Sequence, residues 1–163
     1  VIDDYGHHPV EIAAVLKAGR QAVGEGKGKL IAVVQPHRYT RIHDLFDEFC
    51  TCFDEADVVL IADVYAAGEQ PIEGVSKEHL VDAVKAHGHR AVEAMASPET
   101  LAEQILTLPK RGIWLFVWGL GALHTGRMIC LHSWRFARTE IKSLVVIVIP
   151  AKAGIHGCRS TTA

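Results

Sequence analysis

Short apolar runs alternating with longer amphipathic stretches predict an α/β fold with a mostly parallel sheet and helices on both faces. Three observations carry this. Leu30-Ile31-Ala32-Val33-Val34 and Asp57-Val58-Val59-Leu60-Ile61-Ala62 are continuously apolar and rich in β-branched residues, as in strands buried on both sides. Between and around them lie segments of ten or more residues with apolar side chains at helical spacing. The chemically able residues cluster in the turns that follow strands, where open parallel sheets hold ligands.

The bulk properties narrow the field. With 163 residues and 49% apolar content, the chain suits one domain with a real core. The 17 basic and 19 acidic residues are well mixed, giving a net charge of −2 and no footprint for nucleic acid or an anionic membrane. The apolar run Leu144 to Ile149 is far too short to span a bilayer. Cys50, Cys52, Cys130 and Cys158 match no zinc spacing and read as buried or inert thiols of a reducing cytoplasm. The chain has no initiator methionine or signal peptide and opens inside an apparent strand, so a piece of a longer protein is expected.

Taken in order, Val1-Ile2 runs into the polar turn Asp3-Asp4-Tyr5-Gly6-His7-His8, and Pro9 suits the first turn of a helix. That helix, Val10 to Val23, places Ile12, Val15, Leu16 and Ala22 near one face and leaves Glu11, Lys17 and Arg20 to water. Gly24-Glu25-Gly26-Lys27-Gly28 ends it; lying after a helix and before a strand, it is in the wrong context for a dinucleotide loop. After the strand from Leu30 comes a second polar turn, Gln35-Pro36-His37-Arg38-Tyr39-Thr40-Arg41. Thr40 to Ala56 reads as one helix, with Ile42, Leu45, Phe46, Phe49 and Phe53 as its core face. The strand from Asp57 ends at Asp63, and its loop carries Tyr65, Gly68, Glu69 and Pro71. Ser76 caps a helix reaching about Ala86, Ala91 to Met95 is a short strand, and Ser97 opens a helix to about Leu108.

Both polar turns fall at carboxyl ends of strands, facing one ligand. Asp3, Asp4, His7 and His8 are metal-ligand types, but adjacent histidines on one turn seldom aim at one ion, and no metal is assigned to them. The plain alternative is a capped helix start, with a carboxylate near the helix dipole and His8 bonded to backbone. The reading between these is ligand binding, with a histidine donor and Tyr5 as a stacking wall. Arg38 and Arg41, three apart at a helix start, suit a carboxylate or phosphate, and the helix N–H groups add donors. No Walker loop, nucleophile elbow or CxxC is present in the chain.

Three motifs, Asp3-Asp4-Tyr5-Gly6-His7-His8-Pro9, Gln35-Pro36-His37-Arg38-Tyr39-Thr40-Arg41 and Asp63-Val64-Tyr65-Ala66-Ala67-Gly68-Glu69, resemble in type and order the C-terminal domain of the Mur ligase family, in the branch that joins L-alanine to UDP-N-acetylmuramate. The resemblance runs from Val1 to about Lys110. It implies a Rossmann-like domain of a cytoplasmic ATP- and Mg2+-dependent ligase of peptidoglycan synthesis, whose amide bond forms through an acyl phosphate. His7, Arg38 and Arg41 then look like alanine-binding residues, Tyr5 like the nucleotide side, and Asp4 like a group orienting the histidine or the amine. ATP and Mg2+ belong mainly to a central domain, and the UDP-sugar to an N-terminal domain. Without those domains the chain is expected to be inactive by itself. A sister murein peptide ligase, and a non-catalytic small-molecule-binding module, are the alternatives.

After Arg111 the resemblance stops. Codons chosen for residues 112–131 and read from the third base encode Asp-Met-Val-Val-Cys-Leu-Gly-Ala-Gly-Ser-Ile-Thr, the ordinary end of such a domain. A glycine from Trp118-Gly119 and an aspartate from Met128-Ile129 are forced whatever codons are chosen. A frameshift near residue 112 is therefore expected; the alternative is a true extension that forms a partner helix or strand. The frameshift limits the domain to residues 1–111, or as far as about 120, and leaves 121–163 as a divergent, irregular or disordered tail. Residues 112–119 stay apolar and can still take the last strand's place.

Overall fold

The computed structural model describes residues 7–23, 28–97, 100, 101 and 104, and the backbone of two further strands. The elements are α1 (Pro9–Val23), β1 (Lys29–Val34), α2 (Tyr39–Asp44), α3 (Phe46–Thr51), β2 (Val58–Ile61), α4 (Lys77–Ala86), β3 (Val92–Ala94), β4 (Ile113–Trp118) and β5 (Val145–Ile149). The strands form one sheet in the order β3-β2-β1-β4-β5, with every pairing parallel. The chain therefore steps outward from β1 to β3 and returns to β1's other side at β4. The order reverses between β1 and β4, and the crevice outside the carboxyl ends of such a pair is where open α/β sheets bind ligands.

Alternation along β1 sorts the core. Leu30, Ala32 and Val34 join Val59 and Ile61 in one cluster with Ile12 and Leu16 of α1, Phe49 of α3, Phe53, and Leu80 and Val84 of α4. Ile31, Val33 and Leu60 stand outside that cluster and are also fully buried. A strand with no wet face has no place for polar residues, which is why β1 and β2 read as unbroken apolar runs. Burial of this kind costs about 2–5 kcal/mol when a leucine or isoleucine is cut to alanine.

Several local expectations change. The buried stripe of α1 is Pro9, Ile12, Leu16, Gly19 and Val23, and Ala22 is exposed. Arg20 is not left to water. Its Nε and Nη2 donate to the Glu55 carbonyl at 3.1 and 2.7 Å, and Nη2 reaches Asp57 Oδ2 at 2.6 Å. The helix expected over 40–56 is two helices, because Leu45 leaves helical space (φ −121°, ψ 29°). The flanking bonds from Leu45 N–H to Arg41 O and from Phe49 N–H to Leu45 O persist, so the apolar face carries on across the break. The second helix stops at Thr51, and Ala56 N–H closes a turn onto the Phe53 carbonyl. In α4, Ser76 Oγ accepts from His79 N–H at 3.1 Å, as its capping position anticipates.

At the carboxyl-terminal end, Ile113–Trp118 lies beside β1 over its whole length, the place expected for the apolar run after Arg111. The irregular tail is corrected over five residues. Val145–Ile149 pairs with β4 as the edge strand, because an uninterrupted β-branched run finds the open hydrogen-bonding edge of β4. Of the helix expected from Ser97 to about Leu108, Ser97, Thr100, Leu101 and Gln104 fall among the described residues; Leu101 and Gln104 are helical, and Thr100 lies in a turn.

Candidate functional site

The two adjacent histidines divide their work. With Pro9 as the first helical residue, His8 is the N-cap and Glu11 the third position of α1. Glu11 Oε2 accepts from the N–H groups of His7 (2.9 Å) and His8 (3.1 Å), the reach-back half of a capping box. His8 Nδ1 lies 3.4 Å from Val10 N–H, where a serine or threonine oxygen ordinarily stands. Burial pushes the Glu11 carboxyl up, but the two N–H donors and both histidine rings more than offset it and hold it below its ordinary value. His8 is thus bound into the helix start. The His7 ring faces the second turn, with its centroid 6.5 Å from that of His37.

That second turn, after β1, is held by the loop after β2. Arg38 N–H donates to Tyr65 O at 2.9 Å, Tyr65 N–H to Pro36 O at 2.8 Å, and Gln35 Nε2 to Asp63 O at 3.3 Å. The His37 ring stacks on Tyr65 at 5.2 Å. Arg41 folds back on His37, its Nη1 3.2 Å from the His37 carbonyl and 3.4 Å from Nδ1. A guanidinium only donates, so Nδ1 accepts and the neutral ring carries its proton on Nε2. Burial, Arg41, Arg38 and His7 in that order push the His37 pKa down, with Glu69 opposing, which keeps the ring neutral at physiological pH.

Arg38 is the outlier. It is the N-cap of α2 at φ 71° and ψ 131°, a conformation that a residue with a Cβ rarely adopts, and its side chain caps nothing. Its guanidinium is half exposed, with Nη1 3.7 Å from Glu69 Oε1. Glu69 itself accepts from Thr40 N–H at 3.0 Å and from Thr40 Oγ1 at 2.8 Å. These bonds, above all that from the Thr40 N–H, and the nearby Arg38 hold the Glu69 carboxyl below its ordinary value.

The structure therefore brings together His7, Arg38 and Arg41 around His37, at the carboxyl edge of β1. Asp4 and Tyr5 lie outside the described residues. The α2 N–H groups offered above to a ligand are corrected: that of Thr40 is already bonded to Glu69. Sequence reasoning gave no role to His37, Tyr65 or Glu69. The signal for Tyr65 and Glu69 was the third motif itself, whose Ala67 (φ 51°) and Gly68 (φ 88°) make the tight turn that swings Glu69 back onto α2. Among the described residues, no three His, Cys, Asp or Glu side chains form a metal-ligand set. Cys50 and Cys52 are buried free thiols, their pKa values pushed up by burial. A shallow recess of about 350 Å3 lies elsewhere, at the amino ends of the strands, lined by Asp54, Asp57, His87 and His89 among others.

Comparison with known proteins gives a consistent result. Residues 1–121 match the family model described as Mur ligase, glutamate ligase domain. Three similar curated proteins are all named UDP-N-acetylmuramate–L-alanine ligase. That of Rhodospirillum centenum is 60% identical over 123 residues, covering 76% of this chain and 25% of the relative. That of Xanthobacter autotrophicus is 58% identical over 123 residues, covering 76% and 26%. That of Rhodospirillum rubrum is 55% identical over 125 residues, covering 77% and 25%. The chain spans about a quarter of the length of these relatives.

Proposed function

The chain belongs to the Mur ligase family, through the glutamate ligase domain matched over residues 1–121, and on that premise we propose that it presents L-alanine to an ATP-dependent ligase acting on UDP-N-acetylmuramate. The observation that carries this reading is the set of cations at the β1 carboxyl edge, with the Arg38 guanidinium half exposed beside a neutral His37. A carboxylate matches a guanidinium fork bidentately. Arg38 and Arg41 take the alanine carboxylate, and His7 closes the other side. Held by that end, the amine is left to attack an acyl phosphate carbon. The C–N bond forms as the C–O bond to phosphate breaks, and the amine gives up a proton. The domain's contribution is proximity and orientation.

In this reading Asp4 orients the histidine or the amine, and Tyr5 meets the nucleotide. By the family resemblance, ATP and Mg2+ are assigned mainly to the three quarters of the relatives that this chain does not cover. The chain alone is then inactive in ligation. The setting is the cytoplasm, in peptidoglycan and cell-wall synthesis. We also propose that the domain proper ends between residues 111 and about 120, and that residues 121–163 are read out of frame; sequencing the gene tests this, and codons that forbid the shifted peptide refute it.

The deciding experiment uses a full-length ligase carrying this domain. Arg38→Ala and Arg41→Ala should raise the KM for alanine far more than that for ATP. Equal effects on both substrates would remove the carboxylate grip. Preference for a tripeptide over alanine would instead favour a murein peptide ligase.

A further inference from the structure

A helix start needs an oxygen to accept its unbonded N–H groups, and the residue at the cap ordinarily supplies it from Ser, Thr, Asp or Asn. At the start of α2 that position is Arg38, which has no acceptor at all. It also stands at φ 71° and ψ 131°, where glycine is the usual occupant. Two local rules are thus broken at one residue. The missing oxygen comes from 29 residues away. Glu69 accepts both the N–H and the hydroxyl of Thr40, and the same carboxylate lies 3.7 Å from the Arg38 guanidinium. The loop that delivers it is pinned to the turn by the backbone bonds between Arg38, Tyr65 and Pro36.

We infer that Glu69 is a positioning residue: it caps α2 in place of position 38, which frees that position to carry a ligand-binding guanidinium and holds it at the site's edge. This rests on the alanine-presenting role proposed above. The carboxylate approaches Arg38 through one oxygen at a distance too long for a direct hydrogen bond. It steers the guanidinium without saturating it, so the remaining donors stay available to a ligand carboxylate.

The test uses the whole chain, with amide hydrogen exchange at Thr40 and NMR titration with L-alanine. Glu69→Ala should speed Thr40 exchange about tenfold, the loss of a cap, and weaken alanine binding by a similar factor. Glu69→Asp should recover part of both. Arg38→Asn supplies its own cap, so in that background Glu69→Ala should leave Thr40 exchange nearly unchanged. Unchanged Thr40 exchange in Glu69→Ala overturns the inference whether or not alanine binds. So does a Glu69→Ala effect on exchange that is equally large in Arg38→Asn. If Arg38→Ala leaves alanine binding intact, the functional reading falls while the capping result still stands. If Arg38→Ala abolishes alanine binding and Glu69→Ala does not touch it, the positioning role falls and the functional reading stands.

Discussion

The two ends of the sheet each pair an arginine with a carboxylate, and the pairs do opposite things. At the amino ends, Asp57 accepts from Arg20 Nη2 at 2.6 Å and from the Leu30 N–H at 2.7 Å, and Lys29 Nζ lies 3.4 Å away. Arg20 Nε and Nη2 also donate to the Glu55 carbonyl. Burial pushes the Asp57 carboxyl up, but the Leu30 N–H, Arg20 and Lys29 together outweigh it and hold it below its ordinary value. At the carboxyl ends, Arg38 meets Glu69 at 3.7 Å and is half exposed, on a strained backbone. One cluster holds its arginine through two nitrogens and ties α1 to the start of β1 and β2. The other keeps donors in reserve. The same pair of groups is structural where short hydrogen bonds hold the arginine, and fit for binding where they do not.

Substitutions should separate the ends, beginning with the largest effect. Asp57→Ala leaves the Leu30 N–H without its acceptor and Arg20 without its carboxylate in a mostly buried place, at a cost of about 2–3 kcal/mol in a denaturant melt. Alanine binding should not change. A cost near zero would make the amino-end cluster as loose as the other and end the contrast. Arg38→Ala should do the converse, weakening alanine binding by about tenfold or more, near 1.4 kcal/mol, while stability moves by no more than about 0.5 kcal/mol. A large fall in stability would place Arg38 among the structural arginines.

Ser76→Ala supplies the yardstick for an ordinary cap, costing about 1 kcal/mol with no effect on alanine. The smallest effect should appear in a pH scan. His37 has a depressed pKa, so the unfolded chain takes up its proton first as pH falls below 6.5. Stability is lost from there down to the lowered folded value, and His37→Gln should flatten that part of the curve. Asp57 and Glu69 are also depressed, so their contribution is full above ordinary carboxylate pKa values and goes as pH drops through their folded ones. Asp57→Asn should remove the larger share of that acid-side loss, and a scan unaffected by it would contradict the tight binding of Asp57 at the amino ends.

Much of this was legible in residue order. Leu30 to Val34 and Val58 to Ile61 are apolar at every position, and a chain so written must bury both faces. Pro9 and Ser76 announced their helices because capping is a local matter. His7, Arg38 and Arg41 stood out as side chains able to bind a carboxylate, clustered in turns that follow strands. The break at Leu45 was not legible, since no proline or glycine marks it and the helical spacing of Ile42, Phe46, Phe49 and Phe53 runs straight through. Arg20 looked like a solvated charge because its acceptors are 35 and 37 residues distant.

Local order, then, was enough for the strands, for most helix starts and for the list of side chains able to grip a carboxylate, because periodicity and capping act over a few residues. The division of labour among those side chains came from pairings across the sheet. His8 serves its own helix, as Glu11 beside it allows, and His7, which also bonds Glu11, meets His37 where α1 reaches the turn after β1. Arg20 is closed off by Asp57, and Arg38 is left half open because Glu69 arrives from the next loop to cap the helix that Arg38 cannot. Whether a charge is spent or available depends on which acceptors the fold delivers to it. Those acceptors come from segments roughly 30 residues away, a distance over which sequence spacing carries no geometric information.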